Sequence, residues 1–304
     1  MEKINILIAG DIDLSNLDIF PEKNFNIIIN PGIENQTILD SSDQFDCMII
    51  RSTRMIDRHF LDKCNMKVIA TCSRGCDNID AEYARKKNIV IIKAIDGNSI
   101  STAEHTIGLI LNIFKQINYS DYLVRSNQFG INNFQRNELN GKTIGIIGIG
   151  KVGSKVAKLA KSFGMELLIN DINKKLKFKY KIYKFVNINY LLKNSDIVTL
   201  HIPLNKDNKK FISKRKIDLI RETSVLINTS RGGVIDEEYL IESLKRKKIK
   251  FAGLDVFNNE PAINKKFSSL KNVLMTNHIA GKTEESKYKI AEEIIRQIKK
   301  YFKN

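Results

Sequence analysis

The chain has 304 residues, 42% of them hydrophobic, and a formal net charge of +16 at pH 7. That length exceeds one small domain and suits two, with enough apolar residues for buried cores. No apolar run reaches the roughly 18 residues of a membrane-spanning helix, so no membrane association is expected. The charge has two readings: attraction of an anionic partner, or a composition that fills solvated faces with Lys along the whole chain. The basic residues lack the interleaved aromatics of a nucleic-acid groove. The second reading is therefore favoured. No nucleic-acid partner is expected, and small anions gain from the field.

In chain order, residues 4–9 followed by Gly10 read as a strand and a glycine turn. They lack the longer apolar stretch and small-residue cleavage site of a signal peptide, so a cytoplasmic protein is expected. Further strands are predicted at 26–29, 47–51, 68–71 and 89–92. A second series follows at 143–147, 166–170, 197–201, 224–228, 251–255 and 273–276. Helical periodicity marks 101–117, 151–163, 237–247 and 284–302. The helix at 101–117 opens on Ser101-Thr102-Ala103-Glu104, a capping-box spacing. It reads either as a core helix or as a hinge. Strands alternating with helices predict an α/β protein of two doubly wound parallel sheets. The first domain takes residues 1–97 with 283–304, and the second takes 98–282. Cys47, Cys64, Cys72 and Cys76 form no CxxC pair and read as free thiols, with no metal site expected.

The most specific local signal is Gly148, Gly150 and Gly153, a GxGxxG after an apolar strand and at the opening of an amphipathic helix. Gly148 permits the tight turn, Gly150 lets backbone approach a pyrophosphate, and Gly153 lets helix pack on strand. Lys151 and Val152 lie in the first turn, where free N–H groups and the helix dipole favour phosphate. Asp171 ends the next strand. A carboxylate there accepts hydrogen bonds from ribose hydroxyls and repels a 2′-phosphate, which favours NAD over NADP. Lys174 and Lys175 nearby weaken that discrimination.

Three later strand ends carry chemistry. Arg231 leaves one beside two glycines, with a fork suited to a carboxylate. Glu260 follows the next, and His278 the last. Reduction of a 2-oxo acid needs a cation for the carboxylate and a proton donor for the developing alkoxide. His is the natural donor, and a paired Glu favours its imidazolium form. Taken singly, each residue also reads as an ordinary loop or surface group. Of the other histidines, His59 lies in a charged stretch and reads as exposed. His105 sits on the 101–117 helix, and His201 ends a strand before Ile202-Pro203.

These segments together resemble the D-isomer-specific 2-hydroxyacid dehydrogenases, most closely the phosphoglycerate dehydrogenase branch. The resemblance runs over nearly the whole chain. Its segments include Arg51-Ser52-Thr53, the 75–80 and 97–104 stretches, the GxGxxG block, Arg231-Gly232-Gly233, the 255–261 block and His278-Ile279-Ala280-Gly281. It implies a flavodoxin-like substrate domain, a Rossmann NAD-binding domain, a cleft between them and a homodimer. Arg231 would hold the substrate, and His278, paired with Glu260, would be the acid/base. Asp255 would contact the nicotinamide carboxamide, with Thr102, Thr229, His201, Ile202 and Pro203 near the cofactor. Arg51, Ser52, Ser73, Arg74, Gly75 and Asn98 would bind substrate.

The chain departs from the family pattern at Asn277, where Pro is usual and the loop would be stiffer. It departs also at Ser73, Arg74 and Cys76, and at Phe129 near a frequent Trp position. It ends soon after the 284–302 helix, so no C-terminal regulatory domain and no serine feedback are expected. The resemblance implies NAD-dependent oxidation of D-3-phosphoglycerate to 3-phosphohydroxypyruvate, as in serine biosynthesis. A glyoxylate, hydroxypyruvate or other 2-oxo acid reductase is the alternative. An NAD-sensing binding protein without turnover is a third reading.

Overall fold

The computed structural model describes residues 3–10, 23–51, 53–73, 75–76, 78–130 and 135–303. The chain divides into two compact units, residues 1–98 with 282–304, and residues 99–281.

In the first unit, five parallel strands, β1 (Ile4–Ile8), β2 (Phe25–Ile29), β3 (Cys47–Ile50), β4 (Val68–Thr71) and β5 (Val90–Lys93), pair in the order β2-β1-β3-β4-β5. This is the flavodoxin-like order. Strands β3 and β4 are buried along their whole length, and their unbroken apolar runs serve two covered faces. On one face Leu7, Met48, Ile50 and Ile69 pack with Ile38 of α1 (Asn35–Asp40), Phe60 and Leu61 of α2 (Arg58–Lys63) and Ala84 of α3 (Ala81–Lys86). On the other, Ile6, Ile8, Val68 and Ala70 meet Ile294, Ile295 and Ile298 of α11 (Glu284–Lys303). Glu293 of α11 accepts hydrogen bonds from the Ile95 and Asp96 amides at 3.0 and 3.2 Å. The end of the chain is thus stitched to the loop after β5. Cys47 is fully buried, and burial raises its thiol pKa far above the ordinary value; the Cys72 thiol is pushed up to about 12.

In the second unit, seven parallel strands pair in the order β12-β11-β10-β9-β6-β7-β8. They are β6 (Thr143–Ile147), β7 (Glu166–Asn170), β8 (Lys184–Phe185), β9 (Ile197–Leu200), β10 (Val225–Asn228), β11 (Phe251–Leu254) and β12 (Val273–Met275). Helices α4 (Ser99–Lys115) and α6 (Lys151–Ser162) cover one face around Ile110, Ile144, Val156 and Ile227. Helices α8 (Ile188–Asn194) and α10 (Glu237–Lys245) cover the other around Leu191, Leu226, Leu240 and Phe267.

The structure differs from the sequence expectations at element ends. Strands expected to reach 51, 201, 255 and 276 stop one residue earlier, leaving Arg51, His201, Asp255 and Thr276 as the first loop residues. Helix α4 starts at Ser99, so Ser101 lies inside the first turn and cannot act as the cap of a box with Glu104. Strand β8 has two residues, too few to show a pattern. Among the described residues, no helix is long and apolar enough to cross a membrane.

Candidate active site

Every chemistry-bearing segment of the second unit leaves the C-terminal end of a strand in its one parallel sheet. After β6, Gly148 turns with φ +90, a conformation open to glycine. A Cβ on Gly148 would lie 2.7 Å from the His201 carbonyl oxygen and 2.9 Å from Ile202. The turn after β6 and the loop after β9 therefore touch, where the strand order reverses and ligands bind in such sheets. Gly153 leaves room for the Gly148 carbonyl, which a Cβ would overlap. Gly150 is the N-cap of α6 and provides no side-chain cap. Lys151 is exposed and Val152 half-buried in the first turn. This glycine-walled helix start is the cradle a dinucleotide pyrophosphate requires.

Asp171 is the first residue after β7. Its Oδ2 accepts from the Ile149 amide and its Oδ1 from the Asn173 amide, both at 2.8 Å. The carboxylate thus ties the glycine loop to the next strand and keeps further lone pairs for ribose hydroxyls. His201 Nε2 lies 3.0 Å from Thr199 Oγ1. Ile202 is half-buried and Pro203 exposed. Thr102 and Thr229 are buried on either side of Thr106. The Thr106 hydroxyl donates to the Thr102 carbonyl at 2.7 Å, so the Thr229 hydroxyl, 2.9 Å away, donates to Thr106. The Thr229 side chain and the Thr102 carbonyl therefore both serve Thr106 of α4.

Arg231 begins the turn after β10, where Asn228 fixes the backbone. Asn228 accepts from the Ser230 amide at 3.0 Å and donates to the Arg231 carbonyl at 2.8 Å. Gly232 packs so closely on the Phe257–Asn258 backbone that any Cβ would overlap it. The Arg231 turn and the loop carrying Glu260 are thereby held together. Glu237, buried at the start of α10, accepts from the Asn258 amide at 2.9 Å. Burial raises its carboxyl pKa, which that N–H partly offsets.

Glu260 Oε1 accepts from the Phe257 amide at 2.8 Å, and Oε2 lies 2.6 Å from His278 Nδ1. The carboxylate only accepts, so Nδ1 carries hydrogen and Nε2 is the nitrogen left to exchange a proton. The His278 side chain is 44% exposed, open to a ligand. Its loop is gripped by Asp255, whose side chain is completely buried. Asp255 Oδ1 accepts from Thr276 Oγ1 at 2.6 Å and from the Ile279 amide at 2.9 Å. Its Oδ2 accepts from the Ala280 amide and its carbonyl from the His278 amide, both at 2.9 Å. Asn277 is exposed and adds no ring to stiffen this loop.

Sequence reasoning singled out Arg231, Glu260 and His278. It missed Asn228 and Glu237, which orient backbone, and Thr276, which orients Asp255. Their signal is a polar residue at or just past an apolar strand, or buried in a helix's first turn. His59 is exposed on α2, and His105 faces Thr276. Among the described residues, no His, Cys, Asp and Glu group is placed to hold a metal.

In the first unit, Arg51 follows β3 and is half-buried, with Gly10 packed against it. Ser73, after β4, donates to the Gly75 carbonyl and lies 3.0 Å from Thr71 Oγ1. Asn98 is half-buried. Ser52 and Arg74 lie outside the described residues. Arg54, not singled out from sequence, donates to the Ala9 and Ile33 carbonyls and to Asn35 at 3.0, 2.7 and 2.6 Å. It clamps the loops after β1, β2 and β3, and burial lowers its pKa.

The family model for D-isomer specific 2-hydroxyacid dehydrogenase, NAD binding domain, matches residues 107–280. The chain is 34% identical over 300 residues to D-3-phosphoglycerate dehydrogenase of Methanocaldococcus jannaschii, covering 98% of this chain and 57% of that protein. It is 35% identical over 292 residues to a protein of Staphylococcus saprophyticus named for 2-hydroxyacid dehydrogenase activity, covering 93% and 92%. The structure of D-lactate dehydrogenase from Aquifex aeolicus, complexed with NAD and lactic acid, superposes with a TM-score of 0.86 at 28% identity, covering 98% and 95%.

Proposed function

Because the chain belongs to the D-isomer-specific 2-hydroxyacid dehydrogenases, we propose that it interconverts a small anionic 2-oxo acid and its D-2-hydroxy acid, with NAD as cofactor. The observation that carries this reading is the 2.6 Å pair of His278 Nδ1 and Glu260 Oε2, beyond the C-terminal ends of the same parallel sheet as the glycine turn.

Bound NADH supplies the hydride to carbon-2 in the reductive direction. Arg231 takes the substrate carboxylate and carbonyl oxygen in its fork. His278, as imidazolium, gives its Nε2 proton to the oxygen as that oxygen gains charge, and Glu260 steadies the ring from Nδ1. The Gly148–Gly153 turn would hold the pyrophosphate of the cofactor, and Asp171 would accept from its ribose hydroxyls. Asp255, Thr229, Thr102 and His201–Pro203 are proposed for its nicotinamide end. Arg51, Ser52, Ser73, Arg74, Gly75 and Asn98 are proposed substrate contacts.

For the substrate we propose D-3-phosphoglycerate, supported by the similarity to the methanogen enzyme and by the +16 charge, which draws anions. That relative is almost twice as long, so a shorter 2-oxo acid such as glyoxylate, hydroxypyruvate or pyruvate is the second reading. The match over nearly all of the staphylococcal protein favours it. A cytoplasmic homodimer fits either reading. Exposed Ile117 and Val124, on one side of α5 (Ile117–Arg125), offer an apolar strip for a second copy.

The deciding experiment is a panel of 2-oxo acids, phosphohydroxypyruvate included, followed by absorbance with NADH and with NADPH. Turnover of phosphohydroxypyruvate above the rest is expected. Preference for glyoxylate, hydroxypyruvate or pyruvate moves the assignment to the second reading. NADH binding without turnover of any member would leave an NAD-sensing protein.

A further inference from the structure

We propose that His105, on α4 and outside the acid/base pair, is a positioning residue that holds the His278 loop through Thr276 and Asp255. The inference rests on His278 being the acid/base group. Its own geometry, however, is independent of any substrate.

Helix α4 packs on β11 where Gly253 leaves space. A Cβ at Gly253 would lie 3.1 Å from Ile113 and 3.5 Å from Leu109. One helical turn before Leu109, on the same face, stands His105. Two residues beyond Gly253 stands Asp255. The packing of small against large residues thus sets an imidazole opposite a buried carboxylate. His105 Nε2 is 3.0 Å from Thr276 Oγ1 and 3.6 Å from Asp255 Oδ1.

Proton inventory fixes the direction of the bonds. Thr276 has one hydroxyl hydrogen, and at 2.6 Å it points to Asp255 Oδ1. Toward His105 the hydroxyl oxygen therefore accepts, so Nε2 of His105 bears the hydrogen. A chain of donors runs from His105 through Thr276 to Asp255, which also takes the Ile279 and Ala280 amides. His105 keeps the Thr276 hydroxyl from rotating, and Thr276 completes the shell of a carboxylate with no water contact.

The loop needs this support. His278 sits at φ +55, a left-handed conformation that a side chain adopts only when its surroundings impose it. Asn277 leaves the preceding φ unlocked by any ring. The bonds to Asp255 are what impose the turn, and the turn aims His278 at the reacting oxygen. Loss of the His105 donor loosens the aim without touching either substrate or cofactor.

The test compares His105→Phe, which keeps a flat ring but no donor, with His105→Gln, whose amide restores one. Thr276→Val serves if the Phe variant fails to fold. For His105→Phe, kcat with the best 2-oxo acid is expected to fall about ten- to a hundredfold, the scale of a small misplacement. KM should stay within about threefold, the mark of lost transition-state alignment. His105→Gln is expected to recover most of the loss, and Thr276→Val to reproduce it. Hydrogen exchange at the Ile279 and Ala280 amides should quicken in the two impaired variants. Unchanged kcat and exchange in both His105→Phe and Thr276→Val would overturn the inference, as would a Gln variant no better than Phe. If the wild-type chain reduces no 2-oxo acid, the proposed reaction is wrong. Amide exchange then still decides the positioning role: faster exchange in His105→Phe upholds it, and unchanged exchange refutes it.

Discussion

A ring nitrogen that is already committed cannot take part in proton transfer. Glu260 commits Nδ1 of His278 and is itself held by the Phe257 amide, so ring and carboxylate are oriented by backbone. Exchange of Glu260 for Gln keeps the shape but removes the carboxylate charge beside Nδ1. We expect kcat to fall about a hundredfold, at the low end of general acid–base contributions, while NADH binding measured by fluorescence stays intact. A Gln variant with native turnover would show that the pair is decorative. The Glu260–His278 pairing expected from sequence is present at 2.6 Å; singly, each of Arg231, Glu260 and His278 also fits an ordinary loop group, and only their shared position after apolar strands singled them out. Asn228, Thr276 and Asp255 were not legible in their actual roles. An amide, a hydroxyl or a carboxylate that bonds its own loop looks the same in sequence as one that bonds a ligand.

At the scale of elements, helix α10 shows how a helix start can serve a distant loop. Glu237 lies in its first turn, buried, and accepts the Asn258 amide two residues before Glu260. Burial raises its pKa, so the native state disfavours the ionised form. The resulting contribution to stability is fully present below the ordinary carboxylate pKa of about 4.3 and is lost as pH rises through the raised value. Glu237→Gln, which still accepts from Asn258, removes that dependence. Its melting temperature relative to wild type should therefore climb between about pH 4 and pH 7. A difference that shrinks over that range would contradict the assignment. The parallel strands themselves were readable because burial on both faces leaves unbroken apolar runs. Their ends were less so. Arg51, His201, Asp255 and Thr276 continue each run in pattern, and only the lost ladder bonds mark them as loop. The start of α4 was misread because Ser101, buried inside the helix, carries the same letters as a cap.

For the whole molecule, two parallel sheets followed from alternation alone, whereas the amphipathic pattern of the last helix says that it covers a core but not which one. What lies outside the chain did not follow. Ile117 and Val124, each 54% exposed, lie on one side of α5. Such a strip suits a partner. With Ile117→Glu and Val124→Glu together, sedimentation should show a monomer where the parent is a dimer. A parent that sediments as a monomer would remove the homodimer from the proposal. A different consequence attaches to α11, which closes the first unit from the far end of the chain. On the ribosome, residues 99–281 are complete and can fold while the sheet begun earlier still lacks the cover for one of its faces. The portion made first is thus the portion finished last. Until α11 emerges, Ile6, Ile8, Val68 and Ala70 stand open to chaperones or to a neighbouring nascent chain.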